Sequence, residues 1–202
     1  MSKTEAVLEE EHRGYIVKVL IDHSGADSPR DWDNLGHMVC FHRRGNYGDK
    51  HEFDTPADLD EFFKQHKVVR LPIYMYDHSG VALSTGRGYP FDDPWDAGQL
   101  GYIYATYEEI RKEYSVTYVT RSITQKVEKV LKCEVEVYSR YLNGEVYGWM
   151  VSTIDEPDEQ LDSVWGYYDD PAEVLKEGKD HVDWLVAEAA KKAELAKLEA
   201  VS

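Results

Sequence analysis

Cysteine is nearly absent from this 202-residue chain: Cys40 and Cys133 stand far apart. Two such residues build no disulfide scaffold, and without a C-x2-C spacing they build no cysteine zinc site. No apolar run approaches the ~18 residues of a membrane-spanning helix. The first eleven residues, Met1 to Glu11, have no apolar core of the signal-peptide kind. A cytoplasmic location is the resulting expectation. Positive charge is also scarce, with 23 Lys and Arg against 39 Asp and Glu and a net charge of −16. Nucleic acid and anionic membrane both demand clustered Lys/Arg, so neither is an expected partner. No H-E-x-x-H, G-x-S-x-G or G-x4-G-K-[ST] string is present.

What the chain does contain is aromatic: fifteen Tyr and five Trp, against the disordered state. The acidity is uneven. Residues 155–202 hold fourteen acids against five bases, whereas residues 108–142 hold six against seven. A basic partner protein would suit such a surface.

Strands are predicted at 15–21, 37–42, 68–76, 81–84, 100–105, 146–153 and 161–168 from β-branched and aromatic enrichment between turn residues. Pro72 marks the third of these as an edge or bulged strand. Helices are predicted from Pro56 behind an N-cap at Thr55, over 107–114, and from Ser122, whose Ser-x-x-Gln spacing reads as a capping box, to Leu142. A last helix starts at Pro171. This order is α+β, with a mainly antiparallel sheet and helices on one face. The expected organisation is a flexible N-terminus over 1–13, a single domain over 14–170 and an acidic helix or tail over 171–202.

One feature is internal. Residues 15–42 and 71–104 each run strand, Asp-His-Ser-Gly, polar segment, Trp-Asp, Gly and strand. Duplicated units tend to pack as neighbours, which would bring the two loops together. Aspartates of this kind hold irregular turns by bonding nearby backbone N–H groups. The functional alternative is a polar site made by Asp22, His23, Asp33, Asp77, His78 and Asp96. Its oxygen-rich character would suit Mg²⁺, Mn²⁺ or Ca²⁺. Trp32 with Asp31, and Trp95 with Asp93, are candidates for contact with a partner protein.

Three enzyme or metal readings fail on the residues. Asp31 to His42 begins like an EF-hand loop but has Leu35 and His42 where ligands are needed. The His inside each Asp-His-Ser-Gly breaks the turn of the pepsin-like proteases. Cys40 and His42, on one face of a strand, suit a buried thiol beside a partly exposed His better than a nucleophile and its base.

The strings Ser28–Gly36 (SPRDWDNLG), His42–Asp49 (HRRGNYGD), Leu71–Gly80 (LPIYMYDHSG) and Trp95–Gly101 (WDAGQLG) resemble a family of uncharacterised proteins of bacteriophages and mobile elements of Gram-positive bacteria. The similarity covers roughly residues 13–168. It implies a phage-type accessory protein acting inside a bacterial host cell, and the family supplies no functional residues. Two functions are therefore expected in turn. One is binding to a host protein, as an inhibitor or counter-defence factor. The other is a divalent-metal-dependent hydrolase of a phosphorylated or nucleotide substrate, with His23 or His78 as acid or base.

Overall fold

The computed structural model describes residues 6–25, 27–43, 45–77, 80–86 and 97–199. His78, Asp93, Trp95 and Asp96 of the candidate sites lie outside these residues. The fold is α+β, with two four-stranded antiparallel sheets and four α-helices. The chain divides into two compact units, residues 1–26 with 144–202 and residues 27–143, where the sequence suggests a single body over 14–170.

The first unit is a sheet in the order β1 (Leu8–His12), β2 (Tyr15–Ile21), β7 (Tyr147–Thr153), β8 (Asp162–Tyr167), with helix α4 (Pro171–Glu199) on one face. Strand β1 corrects the expectation of a frayed start. Its sequence, LEEEH, has little strand propensity of its own. It is recruited through backbone pairing with β2, from Leu8 opposite Val19 to His12 opposite Tyr15. Val17, Val19, Trp149 and Val151 then meet Val174 and Val182 of α4 in a dry core. Helix α4 comes close because it carries Gly178 there: a Cβ would lie 2.5 Å from Val17 Cγ1 and 3.2 Å from Trp149 Cβ. The predicted tail is therefore, in its first half, a core helix. Its packed residues end at Val186, and 187 and 189–197 are exposed, with Glu188 half-buried.

The second unit is an insertion between β2 and β7. Those strands are neighbours, with Ile21 opposite Tyr147, and the Asp22 N–H donates to the Val146 carbonyl at 2.7 Å. The chain thus leaves and re-enters the first sheet at adjacent points. The inserted sheet has the order β3 (His37–Cys40), β6 (Ala97–Thr106), β4 (Val68–Asp77), β5 (Val81–Thr85). Helices lie on one face in the first unit but on both faces here. Met38, Ile73, Met75 and Ile103 face α3 (Arg121–Leu142) through Val127, Leu131 and Val135, together with Ile110 of α2 (Tyr107–Glu113). The alternate residues Val39 and Tyr104 face α1 (Pro56–Gln65) through Leu59, Phe62 and Phe63. Period-two alternation along β3 and β6 makes this possible.

Local signals explain most element ends. Thr55 with Asp58 and Thr106 with Glu109 form reciprocal capping boxes. Helix α3 starts earlier than its Ser-x-x-Gln spacing suggests, because Thr120 accepts from the Ile123 N–H instead. Pro72 sits in an inner strand, next to a register shift between Ile73 and Tyr74, so the bulge is the alternative realised.

The two Asp-His-Ser-Gly units are used differently. The strands flanking the first, β2 and β3, belong to different sheets, whereas β4 and β6 of the second pair side by side. Only the closing strands meet: β3 pairs antiparallel with β6, with Met38 opposite Ile103.

Candidate functional site

Between Asp27 and Gly36 the chain forms a loop whose backbone is held from inside. Ser28 Oγ accepts the Arg30 N–H at 3.2 Å, and Pro29 opens a single 3-10 turn, Pro29–Asp31. Asn34 Nδ2 donates to the carbonyls of Pro29 and Trp32, at 2.8 and 3.1 Å. At the loop's exit the N–H groups of Leu35 and Gly36 both donate to Glu134 Oε1 at 3.1 Å. Only glycine fits at 36, since a Cβ would stand 2.6 Å from Leu131 Cδ2 and 2.8 Å from Ile103 Cδ1.

The anchor is Arg30, whose side chain is only 5% exposed. Its guanidinium makes a two-pronged bond to Asp49, Nε to Oδ1 at 2.7 Å and Nη2 to Oδ2 at 2.8 Å. It also donates to Glu134 Oε2 at 2.9 Å and to the Gly36 carbonyl at 2.6 Å. Asp49 Oδ2 accepts the Met38 N–H as well, at 2.7 Å. Burial works against the Arg30 charge, but Asp49 and Glu134 outweigh it and raise its pKa above the usual arginine value. One cation between two carboxylates, donating four hydrogen bonds, is the planar, forked role that Arg fills and Lys does not. None of these three residues is among the sequence candidates. Arg30 and Asp49 stand in the SPRDWDNLG and HRRGNYGD strings and Glu134 in neither, and only folding shows that the three converge.

With the loop pinned inward, Asp31, Trp32 and Asp33 are left at the surface, and Trp32 keeps 49% of its area exposed. Trp32 thus presents a large, rigid apolar surface on a backbone that is already fixed. Beside it, Asp33, Asn34, Leu35, His37, Glu109 and Lys112 line a cleft of about 590 Å³. His37 Nε2 lies 2.6 Å from Glu109 Oε1. Burial pushes the Glu109 carboxyl up, but the Thr106 hydroxyl and N–H and the His37 ring prevail, so its pKa is lowered.

Asp22 and His23 belong to the other unit. They line a cleft of about 340 Å³ with Leu20, Ile21, Ser24 and Trp165. Asp22 Oδ1 accepts the Ser24 N–H at 2.8 Å and is bonded by its hydroxyl, an Asx-turn of the kind that such aspartates make. Asp77 ends β4 opposite Val81 and lines neither cleft. Of the described aspartates of the proposed polar site, Asp22 thus belongs to one unit and Asp33 and Asp77 to the other. Among the described residues no group of three or more His, Cys, Asp or Glu could hold a metal ion. Cys40 is no nucleophile: burial, with Asp49 nearby, pushes its thiol up to about 12. His42 instead stacks edge-on against Tyr47.

No helix among the described residues is long and apolar enough to cross a membrane. No family model, no curated protein and no solved structure matches the chain.

Proposed function

We propose that the chain is a binding protein that docks on another protein through the Asp31-Trp32-Asp33 tip. The observation that carries this is the half-exposed Trp32 on a loop fixed by the buried Arg30 network. Tryptophan is among the residues most often dominant in protein interfaces, because it buries a large rigid surface for little lost entropy. A loop already ordered before contact loses less on binding than a mobile one. The flanking carboxylates favour a basic partner surface and a fast, salt-dependent approach. The resemblance to phage and mobile-element proteins supports a bacterial host protein as the partner, contacted inside the cell by an accessory factor.

Affinity capture from bacterial lysate, followed by binding measurements with the captured protein in pure form, tests this. Trp32→Ala should weaken binding by at least about 2 kcal/mol, the size of an interface hot spot. The Asp31→Asn/Asp33→Asn pair should mainly slow association and flatten its dependence on salt. A partner bound equally well by Trp32→Ala would overturn the assignment of the surface.

A further inference from the structure

The two edges of the first sheet differ in kind. Edge strands expose unpaired N–H and C=O groups, and proteins guard them with charge, bulges or cover. The β1 edge is guarded by three consecutive glutamates, Glu9, Glu10 and Glu11. Along β8 and just before it apolar side chains stand out instead, with Leu161, Val164 and Trp165 52%, 42% and 42% exposed, and the only break in its pairing with β7 is a register shift at Gly166. Its side chains address both faces of the sheet. Trp165 lies over Gly148 on the face away from α4, with its Nε1 donating to Ser163 Oγ at 3.1 Å. Asp162 and Val164 alternate with them on the α4 face, where Asp162 pairs with His181 of α4 at 2.8 Å. No described strand pairs with the outer side of β8.

Both ends of this strand are acidic. Asp155, Glu156, Asp158 and Glu159 precede it and Asp169 and Asp170 follow it, all exposed. A second copy pairing antiparallel along β8 would bring the acidic end of one strand against the acidic end of the other. We infer that the outer edge of β8 is a strand-addition site for an extended segment of another protein, apolar in its middle and carrying Lys or Arg at both ends. Main-chain hydrogen bonds would supply affinity, Val164 and Trp165 the apolar contacts on the two faces, and the flanking charges the choice of partner. The inference rests on the reading of the chain as a binding protein, though not on the Trp32 loop.

The probe is the labelled peptide Lys-Lys-Val-Thr-Val-Thr-Val-Lys-Lys, titrated with the full chain and followed by fluorescence anisotropy. It should bind, at least about tenfold more tightly than the same peptide with Glu in place of Lys, and less tightly as salt rises. Val164→Lys and Leu161→Lys, both exposed and therefore compatible with folding, should each abolish binding, whereas Trp32→Ala should leave it unchanged. Loss of a captured partner in Trp32→Ala with peptide binding intact would separate the two surfaces. No binding up to about 1 mM peptide, far above useful affinity, would overturn the inference. Equal binding of a version with Pro at each Thr would do the same, since charge alone would then suffice. So would a concentration-dependent dimer removed by Val164→Lys.

Discussion

Arg30 is the side chain on which the loop depends. Replacing it with Ala leaves Asp49 and Glu134 without their shared cation, in a place where Glu134 is 11% exposed. Breaking a buried ion pair by deleting one partner costs about 3–5 kcal/mol. Arg30→Ala should therefore lower the urea midpoint by that equivalent, and Arg30→Lys should recover little, since an ammonium cannot make the forked contact. A midpoint within error of wild type would show that the loop is held by its backbone bonds alone. Glu109 gives the pH-dependent counterpart. Its folded pKa is lowered, so its contribution is present above the ordinary 4.5 and is lost as pH falls through the folded value. Glu109→Gln should thus be less stable than wild type at pH 7, with the gap closing below about pH 4.5. The carboxylate is 40% exposed, so solvent screening keeps the gap below about 1 kcal/mol. Urea midpoints at pH 7 and pH 3 decide it.

At the level of elements, the close seating of α4 depends on Gly178. In an exposed helix, Gly→Ala stabilises by about 1 kcal/mol. Here the new methyl would meet Val17 Cγ1, on a β-branched side chain with little freedom to turn away. Overpacking costs about 1–3 kcal/mol, so Gly178→Ala should destabilise despite its propensity gain. A rise in melting temperature would mean that α4 stands off the sheet. The sequence foretold this helix from Pro171 but could not show where its core contact ends. A sparse apolar face looks the same whether a glycine brings the helix down on a sheet or leaves it in solvent. Strand β1 escaped sequence reasoning for a related reason: Glu-rich strands are made by their neighbour's hydrogen bonds, which no local pattern encodes.

Across the whole molecule, charge and stability follow the division into units. Residues 1–26 with 144–202 carry twenty Asp/Glu against eight Lys/Arg, and residues 27–143 carry nineteen against fifteen. The acidity lies chiefly in the unit that carries the β8 edge. Truncation distinguishes the two halves of α4. Ending the chain after Val186 removes none of the residues packed in that core, and should shift the melting temperature by no more than about 2 °C while lowering the helical circular dichroism. Ending it after Asp170 removes Val174 and Val182, each worth roughly 1.5–3 kcal/mol when fully buried, and should unfold the first unit. Equal stability of the two truncations would contradict the core described for that unit.

Taken alone, the sequence determined the kinds and near-boundaries of most elements, because caps, turn residues and period-two or 3.6 patterns are local. It determined the α+β class and the charge balance, and it marked the Asp/Trp loops. The tertiary structure decided what the first of those loops is. It assigned Asp22 and His23 to one unit and Asp33 to the other, because β2 and β3 enter different sheets. It buried Arg30 with Asp49 and Glu134, residues 19 and 104 positions away in the chain. Which charges end up paired inside and which aromatic is left outside depends on contacts between distant segments, and one chain's local pattern carries no record of them.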